Sequence, residues 1–143
     1  MTLSKEELKE YYMKIEPQAD EQVLDFIIDF LCHHKNVDEQ EVIRSQFRAG
    51  YCYHFAIILK NIFNRGEICW CAPYGHICWV DDNGVPYDIE GICQSDCEYF
   101  IPVSYIQEGL ADFMHIKGIS FNASQEYIDN AINRYKSDNN IID

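Results

Sequence analysis

The spacing of apolar residues changes abruptly at Gly66, and this change is the strongest constraint on the fold. Before it, apolar side chains recur at helical spacing, as along one face of a helix. After it, the runs EICWCA, HICWVDD and VPYDIEG are short and rich in β-branched and aromatic residues, which is typical of strands. The sequence therefore predicts an α+β protein, and its 143 residues fit a single domain over residues 1–143.

Four helices are predicted in the first part of the chain. The first spans residues 4–15, and Ser4 with Glu7 forms an S-x-x-E capping box at its start. The second is ADEQVLDFIIDFLCHH, with Pro17 in a first-turn position, and the third is VDEQEVIRSQF. The fourth spans residues 52–64 and ends before a glycine. Its predicted apolar stripe consists of Phe55, Ile58, Leu59, Ile62 and Phe63.

The three short runs are predicted to form a small antiparallel sheet that packs against these helices. Two further helices, SYIQEGLADFMH and SQEYIDNAINRYKS, are expected to cover an edge of that sheet.

The length of the loop within residues 82–84 decides which side chains share a face of the last two predicted strands. If only Asn83 and Gly84 formed the turn, Asp88 would lie on the face opposite His76. A three-residue loop, with Gly84 in the left-handed bulge position, puts Asp88 and His76 on one face. The alternating apolar residues then form a coherent second face, so we predict the three-residue loop. That second face consists of Ile77, Trp79, Val85, Tyr87 and Ile89.

A candidate reactive site follows from this arrangement. Cys52 begins the fourth predicted helix, where the positive end of the helix dipole favours a thiolate. His76 can hold an ion pair with that thiolate or act as a base, and a carboxylate can orient the imidazole ring. Under the three-residue loop Glu90 lies directly across from His76 and Asp88 lies diagonally, so either carboxylate can orient the ring. The alternative for Cys52 is a small buried residue of the core.

Two motifs within residues 46–91, QFRAGYCYHFA and HICWVDDNGVPYDIEG, resemble the papain-like cysteine-enzyme superfamily. The transglutaminase-like proteins and the small bacterial cell-wall peptidases are the most similar branches. The resemblance implies a cysteine-bearing helix packed on an antiparallel sheet, with Cys52 as nucleophile, His76 as general base and acid, and Asp88 as the residue that orients it. It also implies that the Gln46 amide helps to form an oxyanion hole.

The expected activity is that of a cysteine hydrolase or acyltransferase, a thiol protease or a transglutaminase-like enzyme, with a peptide or a small amide or acyl compound as substrate. A second hypothesis is a catalytically silent papain-like binding protein that acts by contact with a larger protein partner.

A zinc-stabilised adaptor is the third hypothesis. Zinc motifs usually contain C-x-x-C, and Cys69 and Cys71 are expected on opposite faces of their strand, so we expect neither metal nor cofactor. Cys71 and Cys78 are expected to be thiols of the strand core. The residues that this third hypothesis would use as ligands are Cys69, Cys71, His76, Cys78, Cys93 and Cys97.

Composition restricts the partners and the compartment. The net charge is −13 and Lys and Arg form no stripe, which excludes nucleic acid and anionic membrane as expected partners. The chain contains no apolar run long enough for a membrane span and no signal-peptide pattern. Its seven cysteines, an odd number, are expected to be reduced thiols of a cytoplasmic protein.

Overall fold

In the computed structural model, four helices are followed by five strands within residues 5–102. The described residues are 3–32, 37–48, 52–72, 76–94, 97–103, 133–134 and 136–141. The helices are α1 (Lys5–Ile15), α2 (Glu21–Cys32), α3 (Val37–Arg48) and α4 (Cys52–Phe63). The strands are β1 (Glu67–Ala72), β2 (His76–Val80), β3 (Pro86–Asp88), β4 (Gly91–Ile92) and β5 (Tyr99–Pro102). The α+β class predicted from the change in apolar spacing is confirmed.

The strands form one antiparallel sheet in the order β4-β3-β2-β1-β5. The sequence predicted β1, β2 and β3 but missed the two outer strands. β4 has only two residues, which is too short to show an alternating pattern. β5 pairs with β1 across a long stretch of sequence, and no local pattern reports such a pairing.

Helices α1 and α2 show how local sequence sets the helix boundaries. The Ser4 hydroxyl accepts the Glu7 N–H at 3.1 Å, and the Glu7 carboxylate accepts the Ser4 N–H, so the predicted capping box is confirmed. Helix α2 begins at Glu21, which corrects the prediction that Pro17 lies in its first turn. The Asp20 carboxylate accepts the Gln22 N–H at 2.8 Å and thereby caps the helix.

The main hydrophobic core lies between one face of the sheet and helices α2 and α4. The fully buried apolar side chains of α2 are those at the predicted positions, which are Val23, Leu24, Ile27, Ile28 and Leu31. In α4, Phe55 and Leu59 are buried as predicted, but Ile62 is 51% exposed and does not belong to the core stripe. The sheet contributes large buried residues from the predicted apolar face, among them Trp79 and Tyr87.

The hairpin between β2 and β3 has the predicted three-residue loop. Trp79 pairs with Tyr87, and the Asp81 N–H donates to the Val85 carbonyl at 3.0 Å. Residues 82–84 therefore form the loop, and Gly84 adopts the left-handed conformation with φ of 82°. This register keeps residues 76 and 88 on the same face of the sheet.

Of the two helices predicted after β5, only the end of the last one falls within the described residues. SYIQEGLADFMH lies outside the described residues, and of the last predicted helix the described residues 133–134 and 136–138 are helical. Among the described residues, no helix combines the length and the apolar character that crossing a membrane requires.

Candidate active site

The imidazole of His76 and the carboxylate of Asp88 form a hydrogen-bonded pair between the first residue of β2 and the last residue of β3. Nε2 of His76 lies 2.9 Å from Oδ2 of Asp88. The exposed fraction is 13% for the His76 side chain and 8% for the Asp88 side chain, so little water competes for this contact. The three-residue loop of the hairpin is what brings the two residues to one face.

The other oxygen of Asp88 is also held. Its Oδ1 accepts the Glu90 N–H at 2.8 Å, because the chain turns at residues 89–90 and enters β4 at Gly91. Glu90 therefore belongs to a turn, which corrects the expectation that it lies directly across from His76 in a continuous strand. Of the two candidate carboxylates, Asp88 is the one that bonds His76.

The ionisation of the pair follows from its burial and its partners. Burial raises the pKa of Asp88 to about 6, although the His76 hydrogen bond lowers it. Burial lowers the pKa of His76, but hydrogen bonding with Asp88, Cys52 and Cys93 outweighs this and raises the pKa to about 12. At neutral pH the favoured state is therefore an imidazolium beside an ionised carboxylate.

Cys52 is the first residue of α4, and its side chain contributes to the raised pKa of His76. Helix α4 packs on β1 and β2. Nε2 of His76 bonds Asp88, and both Cys52 and Cys93 act on the same ring. Cys52 itself is 8% exposed.

The fourth predicted site residue, Gln46, lies on α3, two residues before that helix ends at Arg48. Its side chain is exposed. Residues 49–51, which connect α3 to Cys52, lie outside the described part of the chain. The role of Gln46 in an oxyanion hole stays a prediction.

Sequence reasoning missed the contribution of helix α1 to this site. The Tyr12 ring packs against Gly91, where an added Cβ would lie 2.5 Å from the ring. Burial, followed by the charge of Glu90, raises the pKa of Tyr12 to about 12, so this phenol stays neutral. Gly91 also has a φ of 92°, which favours glycine at the end of the turn that orients Asp88. In the sequence, the local signal of this turn is the glycine of the Glu90-Gly91 dipeptide.

A cluster of three buried thiols lies beside the pair, and the zinc hypothesis named all three among its ligands. The sulfur of Cys71 lies 3.6 Å from that of Cys78 and 3.9 Å from that of Cys93. Cys93 also links the two groups of residues, because its sulfur, a His76 ring nitrogen and an Asp88 oxygen lie within 4.8 Å of one another. We refer to Cys71, Cys78 and Cys93 as the thiol cluster.

The thiol cluster corrects one expectation about strand β1. Cys69 pairs with Cys78 and Cys71 pairs with His76, so Cys69 and Cys71 lie on the same face, because side chains two residues apart in a strand point the same way. Only Cys71 joins the cluster, and the thiol of Cys69 contacts the Glu67 carbonyl at 3.8 Å.

The thiols of Cys71 and Cys78 are neutral at physiological pH. The hydrogen bond with Cys78 lowers the pKa of Cys71, but the hydrogen bond with Cys93 and burial raise it far more. Hydrogen bonds with Cys71 and Cys93, followed by burial, raise the pKa of Cys78 well above the usual range of a thiol.

The described residues thus form an α+β protein in which a helix-borne cysteine meets a buried histidine–aspartate pair. The chain belongs to the family described as Phage YunG-like protein, whose family model matches residues 30–137, more than half of the chain. Neither the curated proteins nor the solved structures include a significant match to it.

Proposed function

We propose that this protein is a cysteine hydrolase or acyltransferase that acts on an amide or related acyl bond. The observation that carries the proposal is the 2.9 Å contact between His76 and Asp88, with the Cys52 thiol acting on the same ring. A nucleophile, a base and a group that orients the base are the parts that covalent acyl transfer needs.

Cys52 is the nucleophile in this proposal. His76 takes the proton of the Cys52 thiol, the sulfur attacks the carbonyl carbon, a carbon–sulfur bond forms, and the electron pair of the carbonyl moves to oxygen. His76 then gives its proton to the leaving amine as the carbon–nitrogen bond breaks, which leaves a thioester on Cys52. Water or a second amine, deprotonated by His76, attacks the thioester and restores the thiol.

Asp88 keeps the imidazole in a productive orientation throughout. Its Oδ2 bonds Nε2 of His76 while its Oδ1 is held by the Glu90 backbone, so the ring has little freedom to rotate. Nδ1 is then directed at the reacting atoms. The backbone N–H of Cys52, at the start of α4, and the Gln46 amide are the proposed donors to the oxyanion.

The papain-like assignment is part of the same proposal. Three features support it: the cysteine begins a helix, that helix packs on an antiparallel sheet, and the histidine and aspartate come from adjacent strands. The proposed compartment is the cytoplasm, since all seven cysteines are free thiols.

Selective modification of the native protein tests the proposal. Limiting iodoacetamide is added at neutral pH, and the labelled cysteines are mapped by mass spectrometry over time. Cys32 and Cys97 are more exposed than Cys52, so exposure alone would make them react first. We expect Cys52 to be labelled fastest, because in this proposal His76 activates its sulfur for nucleophilic attack.

The His76→Gln variant should abolish this advantage, since glutamine can still bond Asp88 but cannot take a proton. The matched control is His54→Gln, which changes a histidine on α4, the helix that carries Cys52. This variant should leave the labelling of Cys52 unchanged. Slow labelling of Cys52 relative to Cys32 in the native protein would contradict the proposal.

A second measurement detects the covalent intermediate. With p-nitrophenyl acetate, thiolate attack releases p-nitrophenolate and leaves an acetyl group on Cys52, which intact mass and peptide mapping locate. Absence of both the thioester and the preferential alkylation would favour the catalytically silent binding protein that the sequence also allows.

A further inference from the structure

We propose that the thiol cluster is a binding site for a thiophilic divalent cation, with Zn²⁺ the expected ion. Cys71 comes from β1, Cys78 from β2, and Cys93 directly follows β4. The site is distinct from the proposed nucleophile Cys52, and it departs from the expectation that the protein uses no metal.

The distances between the sulfurs fit tetrahedral zinc. A Zn–S bond is about 2.3 Å long, so two sulfurs of one tetrahedron lie about 3.8 Å apart. The observed separations from Cys71 are 3.6 Å to Cys78 and 3.9 Å to Cys93. The three sulfurs all lie within 4.8 Å of one another, so a single ion can contact all of them.

The surroundings of the cluster favour a ligand function over simple packing. These thiols form a buried group separate from the main core, with Val80, Cys97 and Phe100 packed around it. Cys69, on the same strand and face, is equally buried but does not join them. Thiolate sulfur also favours Zn²⁺ over cations such as Mg²⁺ and Ca²⁺, which prefer oxygen ligands.

Cys97 is the expected fourth ligand. It is half-buried and packs against the cluster, and it completes a C-x-x-x-C pair with Cys93. His76 and Asp88 are near Cys93, but they are already bonded to each other at 2.9 Å. Binding converts each thiol into a thiolate and releases its proton to solvent, so no oxidant or reductant takes part.

A bound ion would link β1, β2 and the residue that follows β4, next to the His76–Asp88 pair. Loss of the ion should therefore lower the stability of the sheet as well as remove the metal. The test measures the metal itself and does not depend on any enzyme activity.

The protein is purified from zinc-supplemented cells with a phosphine reductant, and its metal content is measured by mass spectrometry. The metal-free protein is then titrated with Co²⁺, which gives thiolate charge-transfer absorption and strong visible bands in a tetrahedral sulfur site. We expect stoichiometric zinc in the purified protein and both Co²⁺ signals. If the wild-type protein contains no zinc and gives neither Co²⁺ signal, the proposal is wrong. This test uses the native protein and needs no variant to fold.

Variants assign the ligands. Cys71→Ser should lose the metal, while the matched control Cys69→Ser, a buried cysteine of the same strand, should keep it. Cys97→Ser should weaken the thiolate signal, and Cys52→Ala should leave it intact, which separates the metal site from the proposed nucleophile. Equal retention of Co²⁺ by Cys71→Ser and Cys69→Ser would contradict the assignment.

Discussion

Nε2 of His76 lies 2.9 Å from Oδ2 of Asp88 across the β2–β3 hairpin. The contact exists because residues 82–84 form a three-residue loop; a loop shorter by one residue would send the two side chains to opposite faces. A turn of the backbone therefore determines whether the candidate base has a carboxylate to orient it.

Asp88→Asn should slow the reaction of Cys52. The change keeps the size of the side chain but removes the anion that raises the pKa of His76. We expect acylation of Cys52 by p-nitrophenyl acetate at neutral pH to fall by at least about tenfold, the equivalent of one pKa unit. Stopped-flow absorbance of released p-nitrophenolate measures the rate.

Glu90→Gln is the matched control for this change. It removes a carboxylate from the adjoining turn but keeps the Glu90 backbone N–H that holds Asp88. Its acylation rate should stay near that of the native protein. Equal losses in the two variants would mean that general negative charge, and not the Asp88 hydrogen bond, sets the reactivity.

Asp20→Asn should lower stability in a pH-dependent way. Burial raises the pKa of Asp20, but hydrogen bonds from Arg65 and the Gln22 backbone outweigh it, so the pKa lies below its usual value. Asparagine is also a good N-cap, so the variant isolates the ion pair with Arg65. We expect a loss of about 1 kcal/mol at neutral pH, because the pair is partly exposed.

The sign of this pH dependence follows from the lowered pKa. The stabilisation by Asp20 is fully present above the unfolded-state pKa of about 3.9, and it is lost as the pH falls through the lower folded-state value. Urea denaturation of both proteins at several pH values should show a difference that shrinks below about pH 4. A constant difference across this range would contradict the ion-pair explanation.

Gly66→Ala should be strongly destabilising. Gly66 has a φ of 70°, and an added Cβ would lie 2.3 Å from the Val80 carbonyl oxygen, so the backbone itself must move. The matched control is Gly84→Ala, where φ is 82° but, chain neighbours aside, no described residue has an atom within 4 Å of the added Cβ. The control should cost about 1–2 kcal/mol from the left-handed backbone alone.

Chemical denaturation compares the two glycine variants directly. The loss for Gly66→Ala should exceed that for Gly84→Ala by at least about 1 kcal/mol, since only the former adds a steric clash. Equal losses would show that the backbone conformation, and not the contact with β2, determines the requirement for glycine.

Tyr87→Phe should destabilise the fold by about 1–3 kcal/mol, because it leaves buried polar groups without a partner. The Tyr87 hydroxyl donates to Oδ2 of Asp81 at 2.9 Å and accepts the Asp20 N–H at 2.7 Å. Tyr11→Phe removes an exposed hydroxyl from α1 and serves as the control, with an expected change near zero. Thermal unfolding of both variants measures the difference, and a loss no larger than that of the control would refute the role of the hydroxyl.

The sequence by itself determined the features that depend on near neighbours in the chain. Helical spacing located the buried face of α2, and a capping box located the start of α1. Alternation and turn chemistry predicted the loop at residues 82–84, and with it the shared face of His76 and Asp88. Each of these is a local preference, because the interacting groups lie within a few residues or within one hairpin.

Only the tertiary structure decided which distant groups meet. The pairing of β5 with β1, the exposure of Ile62 and the choice of Asp88 over Glu90 depend on how strands and helices pack. The same holds for the thiol cluster, whose members come from β1, from β2 and from the residue after β4. Periodicity assigns a side chain to a face, but its neighbours across the sheet follow from strand order and register, which long-range packing sets.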